Sequence, residues 1–250
     1  MSGRQRIDGQ AAFILHSYAY SETSLIIDVF SRDFGRLPLL ARGARRPRSV
    51  MRGVLQAFQP LELAWFGAGE VRTLARAEWI GGMPMLGGTA LMLGYYLNEL
   101  LMKLLPREDA HAALFNAYAT ALESLAQGRN GGTSATTYLR QFEKALLREL
   151  GYGMVLEREA VTGEAVLPDR LYHYLIERGP VLTAPSPEMA GNQTPGQAIR
   201  GKTLLDLARD DYADPRTLSE SKLLMRMLIN HYLAGQALQS RRVFMELQEL

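Results

Sequence analysis

The 250-residue sequence predicts an α+β protein, with an N-terminal OB-fold β-barrel of about 80 residues followed by an all-helical C-terminal domain. Three observations predict it. The first third alternates short apolar and β-branched runs with turn residues. After Gly88 the apolar period lengthens to that of a helix. The positive charge is concentrated in the first part.

Taken in order, AAFILHS, SLIIDVF and RLPLLARG read as strands, separated by SYAYSET and SRDFG. VLQAF, LELAWF and EVRTLARAEW follow as further strands. Leu61, Glu62 and Leu63 read apolar-polar-apolar, and Val71 to Leu74 alternate in the same way, as in a sheet with one buried face. Five or six short strands without intervening helices suit a small closed barrel. GGMPMLGG breaks the pattern and sets the expected domain boundary, giving 1–82 for the barrel and 83–250 for the helical domain.

Beyond it, Leu91, Tyr95, Asn98 with Glu99, and Met102 recur at helical spacing. So do Leu114, Tyr118, Leu122 and Leu125, and then Leu139, Phe142, Leu146 with Leu147, and Leu150, before Gly151 as a C-cap. TAPSPEMAGNQTP, from Thr183 to Pro195, reads as a turn-rich loop. Two more helices are expected at Lys202–Asp210 and Ser219–Ala234.

Composition excludes several functions. With no cysteine there are no disulfides, thiolate metal sites or cysteine nucleophiles. The polar start MSGRQRIDGQ shows no signal peptide. The apolar stretch from Leu91 to Leu105 is interrupted by Asn98, Glu99 and Lys103, so it reads as a core helix. A soluble cytoplasmic protein is expected.

The net charge of +2 hides an asymmetry. Residues 1–80 carry 11 Arg, no Lys and 7 acids, whereas the rest carries 17 basic and 19 acidic side chains. From Arg32 to Arg52 there are seven arginines (Arg32, Arg36, Arg42, Arg45, Arg46, Arg48 and Arg52) against Asp33 alone. ARGARRPRSVMRG contains Gly43 and Pro47, so it reads as an arginine-studded loop between strands. Guanidinium forks pair bidentately with phosphate and stack on bases, so a polyanion is the expected ligand. A merely solvated loop would intersperse both signs. Membrane-surface binding would need an amphipathic helix, which the segment lacks. Phe58, Trp65 and Tyr20 are candidates for base stacking, although aromatics at strand spacing are more often core.

GQAIRGKT, Gly196 to Thr203, matches the phosphate-loop pattern letter for letter, which would put Lys202 on the β/γ-phosphates and Thr203 on magnesium. The segment before it is APSPEMAGNQTP, where a buried strand is required. No later apolar strand ends in a suitable Asp. The preferred reading is a helix N-terminus with Thr203 near its start; the alternative is a nucleotide hydrolase using Lys202 and Thr203. The four histidines, His16, His111, His173 and His231, form no metal pattern. Asn192-Gln193-Thr194 is a formal glycosylation sequon without a secretory signal.

YSETSLIIDVFSRDFGRLPLLARGARRPRS, LQAFQPLEL and GEVRTLARAE, then YYLNELLMKLLPRED, LFNAY, LRQFEKALLRELGYG and LMRMLINHYLAGQALQSRRVF, resemble, in order, the RecO family of recombination mediators. The likeness covers nearly the whole chain and is loose only over residues 160–200. It implies an OB-fold followed by a helical domain, with no enzymatic activity and no cofactor. It also implies binding of single-stranded and duplex DNA, strand annealing, and loading of recombinase onto DNA coated by single-strand-binding protein. The implied partners are RecR, with RecF left open, and the implied location is the cytoplasmic nucleoid.

On this likeness the DNA-binding candidates are Arg36, Arg42, Arg45, Arg46, Arg48, Arg52, Arg72 and Arg76. The LRxFE motif falls on Leu139, Arg140, Phe142 and Glu143. It implies docking of the acidic, apolar tail of single-strand-binding protein, with Arg140 on the terminal carboxylate beside a groove of Leu139, Phe142 and Leu146. Core packing explains those three apolar residues as well. Some relatives carry a cysteine zinc cluster in the region of Glu157–Asp169; this chain has REAVTGEAV there and no cysteine, so no metal is expected.

Overall fold

A computed structural model describes residues 6–128, 135–183 and 196–248. The five N-terminal strands are β1 (Arg6–Ala19), β2 (Leu25–Ser31), β3 (Gly35–Ala41), β4 (Leu61–Phe66) and β5 (Arg72–Trp79). They close a barrel in the order β1-β2-β3-β5-β4, with β4 returning to β1. All pairings are antiparallel except β3 with β5, where Leu39 faces Arg72 and Leu40 faces Thr73. That parallel closure forces a long connection between β3 and β4, and the arginine-rich segment is that connection.

Alternation fills the barrel. Ile27, Val29, Leu37, Leu39, Leu61, Leu63 and Trp65 point inward and are fully buried. Burying a side chain of this size is worth roughly 2 to 3 kcal/mol. At the start of β3, Gly35 adopts φ +65, and a Cβ there would strike the carbonyl of Asp109, so only glycine fits. VLQAF is not a strand as expected. Met51–Val54 forms one helical turn, α1, and Ala57 makes a single bridge to Ile14. The next residue, Phe58, has φ +66, which ends any extended run.

The change from strand to helix falls at the glycine-rich stretch. Helices α2 (Gly88–Leu104), α3 (Ala112–Gln127) and α7 (Gln239–Gln248) belong to the same compact unit as the barrel, residues 1–131 with 238–250. The reason lies on the outer face of β1 and β2. Phe13 and Phe30 meet Phe115 and Tyr118 edge-on at 5.2–6.1 Å, apart from a tilted Phe13–Phe115 contact. Asn98 donates to the Leu15 carbonyl at 2.8 Å and accepts from the Tyr118 hydroxyl at 2.5 Å. Glu99 holds the start of α7. Its carboxylate accepts from the backbone N–H groups of Gln239 and Ser240 at 2.8 Å and from the Ser240 hydroxyl at 2.6 Å.

Residues 132–237 form a second compact unit. It is helical as expected, with α4 (Ala135–Glu149), α5 (Gly201–Ala208) and α6 (Pro215–Tyr232), but it is not all-helical. β6 (Leu171–Leu175), β7 (Gly179–Leu182) and β8 (Gln197–Arg200) make a three-stranded antiparallel sheet with β6 in the centre. Those strands are four or five residues long, too short to show a period beside the expected loop. α6 starts four residues before its expected Ser219. Asp214 caps it, accepting from the Arg216 N–H at 2.8 Å, and Pro215 stands in the first turn. Most of the turn-rich loop (184–195), including the sequon at Asn192, lies outside the described residues.

Candidate nucleic-acid interface

The β3–β4 connection is built from successive tight turns. Arg46 N–H donates to the Gly43 carbonyl, Ser49 to Arg46, Arg52 to Ser49 and Gly53 to Val50, all at 3.0–3.2 Å. Ala44 is buried in the barrel core, and Met51, Val54 and Leu55 pack against it. These anchors fix the segment while Arg42, Arg45, Arg46, Arg48 and Arg52 stay exposed. Arg45 is tied to the β1–β2 turn: its N–H donates to the Thr23 carbonyl at 3.0 Å and its guanidinium to the Ser21 carbonyl at 2.6 Å. Among the described residues none of the five forms an ion pair with a carboxylate. Like charges 7 Å apart in water repel by only about 0.6 kcal/mol, so the free protein tolerates this crowding.

The other three arginine candidates have partners within the fold. Arg36 is half-buried and donates to the Leu105 carbonyl at 3.1 Å; burial, opposed by Asp28, lowers its pKa. Arg72 pairs with Glu108 at 3.1 Å. Arg76 lies between Glu62 at 2.9 Å and Glu78 at 3.3 Å, so that patch has no positive excess.

Phe58 and Trp65 are buried, at 4% and 0% exposure, and offer no ring to a ligand. Tyr20 is 62% exposed, beside the turn that Arg45 grips. β1 runs on to Ala19, past the expected strand end at Ser17, and so carries Tyr18 as well as His16. His16 and Tyr18 are also exposed, with ring centroids 4.4 Å apart. The signal was an aromatic or imidazole ring at every second position, 16, 18 and 20. Tyr18 faces Asp28, Arg107 and Arg36; burial and then Asp28 raise its pKa against the two arginines.

In the second unit, Leu139, Phe142 and Leu146 are core, at 6%, 1% and 0% exposure. They fall on the inward stripe of α4, so burial is what their spacing dictates. Arg140 is buried too and pairs with Glu143 one turn on, at 2.6 Å. Its Nε has no hydrogen-bond acceptor among the described residues.

GQAIRGKT does not form a phosphate loop. Gln197–Arg200 is strand β8 and Gly201 opens α5 directly. The N–H groups that would cradle phosphate are already bonded: Arg200 to Glu220 at 3.1 Å, Gly201 to the Arg170 carbonyl at 2.8 Å and Lys202 to the Pro168 carbonyl at 2.9 Å. Lys202 pairs with Asp206 at 2.5 Å and Asp214 at 3.4 Å, and Thr203 is buried and donates to Glu220 at 2.6 Å. A Cβ on Gly201 would overlap the Leu167 carbonyl, so this glycine serves close packing.

The segment from Glu157 to Asp169 is knotted by a carboxylate. Glu159 accepts from the Val161 and Thr162 N–H groups, the Thr162 hydroxyl and the Leu182 N–H. Burial opposes its ionisation, but these donors prevail and hold its pKa below the usual carboxylate value. Among the described residues no group of three His, Cys, Asp or Glu is placed to hold a metal, and no helix is long and apolar enough to cross a membrane.

Two family models match in succession, Recombination protein O N terminal over residues 8–83 and Recombination protein O C terminal over residues 86–242. The chain is 56% identical over 250 residues to a DNA repair protein RecO of Dechloromonas aromatica and 55% identical over 250 residues to one of Aromatoleum aromaticum. Each alignment covers 100% of both chains. A DNA repair protein RecO of Ralstonia nicotianae is 50% identical over 245 residues, covering 98% of this chain and 86% of that one.

Proposed function

The chain belongs to the RecO family of DNA repair proteins, and from that premise we propose that its barrel binds DNA through the arginine turns of the β3–β4 connection. The observation that carries this reading is five exposed arginines, Arg42, Arg45, Arg46, Arg48 and Arg52, on an anchored loop without a carboxylate partner among the described residues. Such a surface neutralises phosphates whatever their sequence, releasing counterions and giving steep salt dependence. It takes single-stranded and duplex DNA alike, and lowers the repulsion between two complementary strands as they anneal. No covalent step is needed, so the protein acts as a mediator, not an enzyme, and requires no cofactor.

In the same proposal the protein helps load recombinase on DNA coated by single-strand-binding protein at the nucleoid, with RecR and, as a further partner, RecF. Arg140 is the anchor for the coating protein's acidic tail. Its unpartnered Nε supports that role, and the tail's terminal carboxylate would share or replace Glu143.

Salt-titrated binding to single-stranded and duplex DNA, bare and coated, tests the proposal. The Arg42→Ala, Arg45→Ala, Arg46→Ala, Arg48→Ala variant should bind both forms more weakly and with a flatter salt slope. Unchanged binding would remove the loop from the DNA site. For the tail, Arg140→Ala should lower affinity for a tail peptide while Arg140→Lys keeps part of it; equal affinities reject Arg140 as the anchor.

A further inference from the structure

The arginine turns supply charge, which does not distinguish an unpaired strand from a duplex. The neighbouring sheet face does carry groups that would. Successive side chains on a strand alternate between the inside of the barrel and its outer face. Past the bulge after Ile14, Ile27 and Leu25 pack inward, opposite Ser17 and Ala19, so the residues that pair with Asp28 and Ile26, namely His16 and Tyr18, lie on the outer face. Tyr20 follows the strand and is exposed as well, as are Ser17 and Ala19 at this open end of the barrel. Tyr18 is 44% and Tyr20 62% exposed. From His16 to Tyr20 the stripe spans roughly 13 Å.

Cations stand at both ends of this stripe. At the Tyr20 end Arg45 grips the Ser21 carbonyl at 2.6 Å. At the other end Arg107 approaches buried Asp28 at 3.8 Å, and Arg36 lies close enough to act on Tyr18, so two guanidiniums face one carboxylate. The exposed rings, set beside the arginine turns, match a polyanion whose bases are free to splay out.

We propose that the outer face of β1 is a stacking platform for the unpaired bases of single-stranded DNA, with Tyr18 and Tyr20 taking bases while the arginine turns hold the backbone. The proposal rests on the DNA-binding reading above and adds the element that separates single strand from duplex. Base faces are the shared feature of all four nucleotides, so the platform is indifferent to sequence. In a duplex those faces are covered by their neighbours and the rings have nothing to stack on.

The test uses the full chain with Tyr18→Ala, Tyr20→Ala and the double variant, alongside Tyr18→Phe and Tyr20→Phe. Anisotropy of a labelled dT oligomer of about 16 nucleotides, and of a duplex of equal length, is measured over a salt series. Each alanine should weaken dT binding about tenfold at unchanged salt slope, leave duplex binding within about twofold, and be rescued by phenylalanine. A double variant that binds dT like the parent overturns the platform. Equal loss on both DNA forms, or loss in the phenylalanine variants, also overturns it, because the effect would then run through the Arg45 tie or the hydroxyl. If the four-arginine variant loses DNA and the tyrosine variants do not, only the platform fails; if the arginine variant binds normally, the reading beneath it fails.

Discussion

The turns that carry Arg42, Arg45, Arg46, Arg48 and Arg52 and the helix that carries Arg140 place one side-chain type in opposite surroundings. On the turns the guanidiniums are exposed, backbone anchors hold the loop, and no carboxylate of the described residues pairs with them. On α4 the guanidinium is buried and its charge is answered by Glu143. An exposed charge costs the fold almost nothing and is available to a ligand. A buried one is tied to its partner, and removing either half leaves an uncompensated charge in a low dielectric. The clustered arginines are therefore expected to matter to binding and the solitary one to stability as well.

The sharpest way to break that comparison is unfolding. Arg140→Ala should cost about 3 to 5 kcal/mol in a urea titration, since Glu143 stays buried. The four-arginine loop variant should unfold within about 0.5 kcal/mol of the parent. Equal stabilities would mean that Arg140 is not the buried member of a pair.

Next in size is the salt slope. Each lost phosphate contact should flatten log K against log salt by about 0.9 on duplex and 0.7 on single strands. The loop variant should therefore lose up to about 3.6 on duplex and about 2.8 on single strands, while Arg72→Ala with Arg76→Ala leaves the slope within about one. A comparable loss from that second pair would show that Glu62, Glu78 and Glu108 do not neutralise it.

A smaller effect separates two carboxylates used as clasps. Burial works against ionisation of Glu99, but the donors from Ser240 and Gln239, with Lys103, outweigh it and lower its pKa. A lowered folded pKa contributes stability above the ordinary carboxylate value, about 4.3, and loses it as pH falls through the folded value. The docking of α7 should thus survive mild acid and loosen only below that range. Amide chemical shifts of Gln239 and Ser240 across a pH series check this, and Glu99→Gln should show the loosened shifts already at neutral pH. The smallest expected effect is none: Lys202→Ala should leave ATP turnover at the background of the parent, with and without DNA. A Lys202-dependent rate would restore nucleotide chemistry to GQAIRGKT.

Much of the fold is legible in the sequence. Short apolar and β-branched runs located β1 to β3, alternation located β4 and β5, and the apolar period located α2, α3 and α4, because burial leaves its spacing on the page. VLQAF misled, since an apolar run of strand length also suits a turn of helix packed on the barrel. The sheet of β6, β7 and β8 was missed because its strands are too short for a period.

The sequence by itself determined the mixed architecture, the lopsided charge, the absence of cysteine chemistry and the family likeness. All of these are sums or local patterns along the chain. The tertiary structure alone decided which arginines stay open. Arg36, Arg72 and Arg76 look like the loop arginines as letters, but their partners Leu105, Glu108 and Glu62 come from other elements. It also decided that Lys202 and Thr203 are occupied, and that His16 and Tyr18 sit ring against ring on an exposed strand end. A side chain's charge is written in its chemistry, whereas its availability depends on which distant group the fold sets beside it.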